Sequence, residues 1–160
     1  MEIERKFLID RFPEDYPLLK EAVVYQGYLS VKPVVRIRSM QEENGHVSYI
    51  LCFKGEGTLA RKEIELELKK ETFEELQELL PAPMIRKDYK VYRLPDGHKL
   101  ECSLVDRGSK TEFMFAEVEF DSIEEAKRFT PCDCLGREVT EERGYSMGAY
   151  WSATRQSKQQ

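Results

Sequence analysis

The sequence predicts an α+β, mainly β fold: a closed antiparallel barrel of about eight strands that encloses a charged tunnel and is covered by a few helices. Three observations carry this reading. Segment after segment alternates with period two, and its polar face is built from Arg, Lys and Glu rather than from a mixture of polar residues. Helical periodicity is confined to three short stretches, two of which open on a capping-box pattern. The 160 residues, 41% hydrophobic and 34% charged, suit one domain with a real core over residues 1–155, with no repeat or linker.

The first strand is Met1-Glu2-Ile3-Glu4-Arg5-Lys6-Phe7-Leu8. Glu2, Glu4 and Lys6 share one face, and Ile3 and Phe7 take the other. Two carboxylates and an ammonium are costly to bury, so this face makes sense as the lining of a polar cavity. There the carboxylate oxygens can hold Mg²⁺ or Mn²⁺, and Lys6 can meet an anion that the metal carries. The plain alternative is the solvated face of an edge strand.

Residues 10–16 read as a turn and 18–21 as a short helical turn. Residues 23–31 form a strand with a bulge at Gly27. Residues 34–40 place Arg36 and Arg38 opposite Val35 and Ile37, and Glu42-Glu43-Asn44-Gly45 marks a hairpin. Residues 47–54 place Ser48, Cys52 and Lys54 opposite Val47, Tyr49, Leu51 and Phe53. Residues 61–68 place Arg61, Glu63, Glu65 and Glu67 opposite Ile64, Leu66 and Leu68. A sheet with one wet face would carry a mixed polar side. Charge concentrated on every strand instead favours a closed barrel with the charged side inside and the apolar side out, under helices.

The first helix starts with Thr72 as N-cap and Glu75 at the capping-box position; Leu76, Leu79 and Leu80 form its stripe, and Pro81 and Pro83 stop it. Strands follow at 84–94, 99–105 and 111–121, joined by turns at Pro95-Asp96-Gly97-His98 and Arg107-Gly108-Ser109-Lys110. Ser122 caps a second helix, with Glu125 three residues on and Ile123, Ala126 and Phe129 on its apolar side. Residues 143–155 form a third helix carrying Tyr145, Met147, Tyr150 and Trp151, and 156–160 read as a disordered tail.

Six blocks in order resemble the CYTH family, the triphosphate tunnel metalloenzymes, and in particular a short bacterial-type inorganic triphosphatase-like member. They are Glu2-x-Glu4-x-Lys6, Arg36-Ile37-Arg38, Phe53-Lys54-Gly55, Arg61-Lys62-Glu63-Ile64-Glu65, Ala116-Glu117-Val118-Glu119-Phe120 and Leu135-Gly136-Arg137-Glu138-Val139-Thr140. Gln26-Gly27-Tyr28-Leu29 matches a further family pattern. The resemblance implies metal-dependent hydrolysis of a phosphoanhydride, with tripolyphosphate first and nucleoside or thiamine triphosphate next. It gives the metals, Mg²⁺ or Mn²⁺, to Glu2, Glu4, Glu117 and Glu119, with Glu63, Glu65 and Glu101 as helpers. It gives phosphate to Lys6, Arg36, Arg38, Lys54 and Arg61. Glu4 and Lys6 also count as catalytic, as does a lysine–tyrosine pair that falls on Lys87 and Tyr28. The same tunnel serves class IV adenylate cyclases, the enzymatic alternative. A non-catalytic polyphosphate- or nucleotide-binding module is the other.

That last alternative has a motive. The family's sixth strand carries Lys-x-Arg and its seventh Glu-x-Asp, whereas this chain has Arg86-Lys87-Asp88-Tyr89-Lys90 and Glu101-Cys102-Ser103. Sequence order puts Lys87 in the lysine slot and Tyr89 in the arginine slot. A two-residue turn at Asp96-Gly97 gives the other answer: Lys90 then faces Ser103, and Arg86 and Lys90 become tunnel residues that bind substrate. A one-residue bulge would return Lys87 to the tunnel. The turn argument favours Arg86 and Lys90.

A net charge of −5 argues against a general nucleic-acid or anionic-membrane binder, so the expected partner is a small polyanion, with homodimerisation left open. The sequence has no apolar run of about 18 residues and no basic, apolar leader, so a cytoplasmic protein is expected. Cys52 and Cys102 fall in strands; Cys132 and Cys134 form Cys-x-Cys in a loop, where a structural zinc site is not expected.

Overall fold

The computed structural model describes residues 1–155; the tail 156–160 lies outside the described residues. The strands are β1 (Glu2–Leu8), β2 (Leu18–Val31), β3 (Val34–Glu42), β4 (Val47–Lys54), β5 (Ala60–Arg61), β6 (Glu63–Glu67), β7 (Ile85–Arg93), β8 (Lys99–Val105) and β9 (Phe113–Glu119). They form one sheet in the order β5-β1-β9-β8-β7-β2-β3-β4-β6. The expected strand at 61–68 is interrupted at Lys62, whose carbonyl accepts a hydrogen bond from Gly55 N–H at 2.9 Å. Its first part, β5, pairs with β1 and its second, β6, with β4, so the two ends of the sheet meet in a nearly closed barrel.

Several local expectations change. Residues 18–21 are extended as the start of β2, because Leu18 to Glu21 pair with β7. Gly27 is in regular register with Ile37; the irregularity falls between Tyr28 and Ser30. The Leu80 side chain packs directly over this glycine: a Cβ there would lie 2.5 Å from Leu80 Cδ1, and the leucine would have to move. Helix α1 (Lys70–Gln77) starts two residues before Thr72, after Lys69, with no side-chain cap. Strand pairing continues to Leu68, whose N–H donates to Tyr49 O, and Phe73 then docks on the Tyr49 ring at 4.9 Å. Phe73 is the buried residue of this helix, and Leu79 is 70% exposed.

Helix α2 (Ile123–Arg128) follows the sequence closely. Ser122 Oγ accepts from Glu125 N–H at 3.1 Å, and the Glu125 carboxylate accepts from Asp121 N–H at 3.0 Å. It closes the largest core over the outer faces of β1, β8 and β9, where Phe7, Leu100, Cys102, Ala116 and Val118 meet Phe120, Ala126 and Phe129. Cys132 and Cys134, beside this core, are joined to each other.

The expected helix at 143–155 is two elements: a 3₁₀ turn at Arg143–Tyr145 and α3 (Met147–Thr154). Ser146 separates them because its backbone is extended and its Oγ caps Ala149 N–H at 3.1 Å. This helix does not cover the outside. Met147 and Trp151 pack with Tyr28, Ile85, Val105 and Phe115, and Met147 itself lines the tunnel with Tyr28 and Phe115; α3 therefore fills one end of the barrel with apolar side chains. Among the described residues no helix is long and apolar enough to cross a membrane.

The β7–β8 hairpin overturns the two-residue turn. Leu94 N–H donates to His98 O at 2.8 Å and Gly97 N–H to Leu94 O at 2.9 Å, with Gly97 at φ 93°, which is a three-residue loop. Tyr89 is opposite Ser103 and Val91 opposite Glu101, one residue away from the expected register. Every side chain of β7 therefore changes face. Arg86 and Lys90 point outward: Arg86 pairs with Asp88 at 3.0 Å, and Lys90 pairs with Glu21 at 3.8 Å beside the Phe12 ring.

Candidate active site

The inward faces of the strands enclose a cavity of about 920 Å³. β1 contributes Glu2, Glu4 and Lys6; β2 contributes Tyr28; β3 contributes Arg36 and Arg38; β4 contributes Lys54. Arg61 comes from β5, Glu63 and Glu65 from β6, Lys87 from β7, Glu101 from β8, and Glu117 and Glu119 from β9. The structure thus brings together every expected site residue except Arg86 and Lys90. Whole faces converge because each strand alternates without a slip between its lining residues, apart from the irregularity after Tyr28.

The cations and carboxylates are interleaved. Lys54 Nζ lies 3.1 Å from Glu2 and 3.5 Å from Glu63. Arg61 Nε lies 3.6 Å from Glu2, and Arg38 pairs loosely with Glu65 at 3.9 Å. The Nε–H groups of Arg36 and Arg38 are buried with no partner among the described residues, so both guanidiniums retain donors to offer an anion.

Lys6 is held on both sides of its chain position. Its ammonium donates to Tyr145 O at 2.6 Å and sits 4.1 Å from the centre of the Phe115 ring. Its backbone is fixed by residues 136–140, which run along β1: Val139 N–H donates to Lys6 O at 2.8 Å, and Lys6 N–H donates to Thr140 Oγ1 at 2.9 Å. The block Leu135 to Thr140 thus acts as a brace for Lys6, a role that period-two alternation alone did not reveal.

Burial and crowding set the proton balance. Burial, followed by Glu117, holds the Glu4 carboxyl well above its usual range. Burial also opposes charge on Glu117, but the hydrogen bond from Glu4 and the charges of Lys6 and Lys87 bring it down to about 2. Glu4 is therefore the member of the pair that favours its protonated form. Burial, then Glu101, Glu2 and Glu63, push Glu119 up to about 7. Burial, then Arg36, pull Lys87 down to about 7 against the attraction of Glu117. Glu2 is also raised, because burial outweighs its contact with Lys54, while Lys54 is raised by Glu2 and Glu4 against burial and Arg36. Their ion pair keeps the ammonium charged.

Tyr89 and Ser103 form the part of the wall that departs most from the sequence pattern. They face each other across β7 and β8, and Tyr89 donates a short hydrogen bond to Glu101. Among the described residues, Cys52, Glu63 and Glu65 also place three ligand atoms within 4.8 Å of one another. Carboxylates that burial and their neighbours' charges hold above the usual range form a donor set that fits a hard divalent cation, since such an ion relieves the repulsion among them.

No family model matches the chain. Among curated proteins it is 35% identical over 144 residues to the inorganic triphosphatase of Nitrosomonas europaea, spanning 90% of this chain and 92% of that protein. The crystal structure of the inorganic triphosphatase NE1496 superimposes with a TM-score of 0.65 at 31% identity, covering 94% of this chain and 93% of that one. PH1819 from Pyrococcus horikoshii OT3 gives a TM-score of 0.55 at 20% identity, covering 79% and 82% of the two chains. HpAC1 from Hippeastrum, a putative adenylyl cyclase described as having a dominant triphosphatase activity, gives 0.56 at 17% identity, covering 79% and 83%. These last two share the fold.

Proposed function

Because this chain belongs to the inorganic triphosphatase family, we propose that it hydrolyses a phosphoanhydride bond of a triphosphate, tripolyphosphate first and nucleoside or thiamine triphosphate next, with Mg²⁺ or Mn²⁺ as cofactor. The finer assignment to the CYTH group rests on the order of the sequence blocks. The observation that carries the reading is one cavity in which Arg and Lys from β1, β3, β4, β5 and β7 meet carboxylates from β1, β6, β8 and β9. A linear polyanion matches the basic side chains, and the carboxylates would repel it unless cations lie between them.

Arg36, Arg38, Lys54, Arg61 and Lys6 bind and orient the phosphates and spread the charge that develops on the leaving group. Glu2, Glu4, Glu117 and Glu119 would hold the cations, with Glu63, Glu65 and Glu101 as helpers. When bound, a cation neutralises phosphate charge and lowers the pKa of water at the site. Lys87, with its pKa near 7, is able to hold or give up a proton at neutral pH; Tyr28, the other member of the expected pair, faces Arg36 across β2 and β3.

Tripolyphosphate ranks first because the apolar end of the cavity is already filled: the Tyr28 ring lies 5.8 Å from Trp151, with Met147 beside them. A nucleoside base, which a cyclase needs to hold, would have to displace that packing. The test is phosphate release from tripolyphosphate, ATP and thiamine triphosphate, each with Mg²⁺ and with Mn²⁺. Fastest release from tripolyphosphate is expected. Cyclic AMP formation from ATP would move the assignment to a cyclase, and binding without turnover would leave a binding module. Small-molecule recognition and a cytoplasmic site of action belong to the same proposal.

A further inference from the structure

Gln26 lies in the middle of β2, in the inward register of Val24 and Tyr28. It is paired across the sheet with Arg38 on β3 and Ile85 on β7. It is fully buried, and among the described residues neither its carboxamide oxygen nor its nitrogen has a hydrogen-bond partner. The neighbouring orphans are Arg36 Nε and Arg38 Nε, both on the adjoining strand. Two unmatched arginine donors and an unmatched amide therefore meet on the neighbouring strands β2 and β3, with the arginines lining the tunnel and the amide having no surface open to it.

A buried amide with neither atom bonded destabilises a fold, and an apolar side chain of the same length would not. Folding alone gives no reason for glutamine here. Resting on the triphosphatase reading above, we propose that Gln26 is a positioning residue for the polyphosphate chain that acts through Arg38. The contact of Arg38 with Glu65 is loose at 3.9 Å, so a phosphate group in the tunnel competes for the guanidinium easily. Once Arg38 turns to phosphate, Gln26 Oε1 accepts from its Nε–H and fixes the direction of its other donors. The Gln26 amide, fully buried, acts on the phosphate only through that guanidinium. The expected effect is on substrate binding, with little on bond breaking.

The test compares wild type with Gln26→Met, which keeps the length and removes both polar atoms. Without ligand, the variant is expected to melt at or above the wild-type temperature. With tripolyphosphate and Mg²⁺, its KM is expected to rise about tenfold, the size expected for a hydrogen bond to a charged group, while kcat stays within about twofold. The rise in melting temperature on adding tripolyphosphate is expected to shrink in parallel. In an Arg38→Met background, Gln26→Met is expected to change that rise no further, because the two side chains act together.

Wild-type KM and a wild-type melting shift in Gln26→Met would overturn the proposal, as would a lowered melting temperature with KM unchanged, which assigns the amide to the fold. A wild-type protein that neither hydrolyses nor is stabilised by tripolyphosphate overturns the functional reading and this inference together. A responsive wild type beside an equally responsive variant overturns Gln26 alone.

Discussion

The wall made of β1, β9 and β8 and the wall made of β3, β4 and β6 line the same tunnel but are backed differently. The first carries Glu4, Glu101, Glu117 and Glu119, and behind it lie the largest apolar core and α2. The second carries Arg36, Arg38 and Lys54, and parts of its outer face are open, with Ile64 45% and Leu66 51% exposed. The difference follows from charge. Four carboxylates on neighbouring strands, half-buried at Glu4, Glu101 and Glu117 and exposed at Glu119, push one another apart, and apolar burial of roughly 25 cal/mol per Å² on the outer face supplies the free energy that holds them. The basic wall has carboxylates within 4 Å of Lys54 and Arg38, so it needs less backing.

The largest expected effect breaks the acidic wall. Glu4→Ala is expected to lower tripolyphosphate turnover at least about 100-fold, and EDTA to abolish it, with the fold intact by circular dichroism. Near-normal activity in either case removes the carboxylates from the chemistry.

The next effect sharpens the boundary between inside and outside. Lys87→Ala is expected to cost about 100-fold in kcat, and Lys90→Ala to stay within about twofold of wild type because that ammonium lies outside the tunnel. Equal losses would mean that the register of β7 in solution is not the one described above.

The backing itself is tested by truncation. Leu100→Ala, fully buried behind the acidic wall, is expected to lose about 2–5 kcal/mol in urea unfolding. Leu66→Ala, on the exposed face of the basic wall, is expected to lose less than about 1 kcal/mol. If the two losses match, the outer face of β6 is covered in solution and the contrast between the walls is wrong.

The charged interior was legible in the sequence because a strand places alternate residues on opposite faces, and Glu2, Glu4 and Lys6 need no tertiary information to share one. β7 was not legible because both of its faces carry charge: Arg86, Asp88 and Lys90 on one, Lys87 and Tyr89 on the other. The decision then fell to one loop, where Gly97 at positive φ adds the residue that reverses the strand. The cap of α1 was misplaced because Thr72 and Glu75 make a good local signal, while the docking of Phe73 on Tyr49 sets the start of the helix. Placing α3 in the barrel mouth requires knowing which end is open, and an apolar stripe does not carry that. Gln26 was visible as part of a sequence pattern, but its unmatched amide shows only when the neighbouring strands are in place.

The smallest expected effect lies at the edge of the acidic wall's backing. His98, just after the β7–β8 turn, is placed between Asp96 at 2.8 Å and Glu125 of α2 at 2.7 Å, against the rings of Phe120 and Phe129. Burial pushes the imidazole down, but the hydrogen bonds to Asp96 and Glu125 outweigh it and hold its pKa above the ordinary value. A raised folded pKa means that the protonated ring binds better in the folded state than in the unfolded one. That stability is fully present below about pH 6.5, the unfolded value, and is lost as pH rises through the folded pKa. The contact is on the surface, so the loss is expected to be only about 1–2 °C in melting temperature between pH 6 and pH 8.5. His98→Gln is expected to remove this component of the pH dependence, leaving the slope from other groups. A variant whose slope matches wild type would show that the tie between the hairpin and α2 does not depend on the charge of the ring.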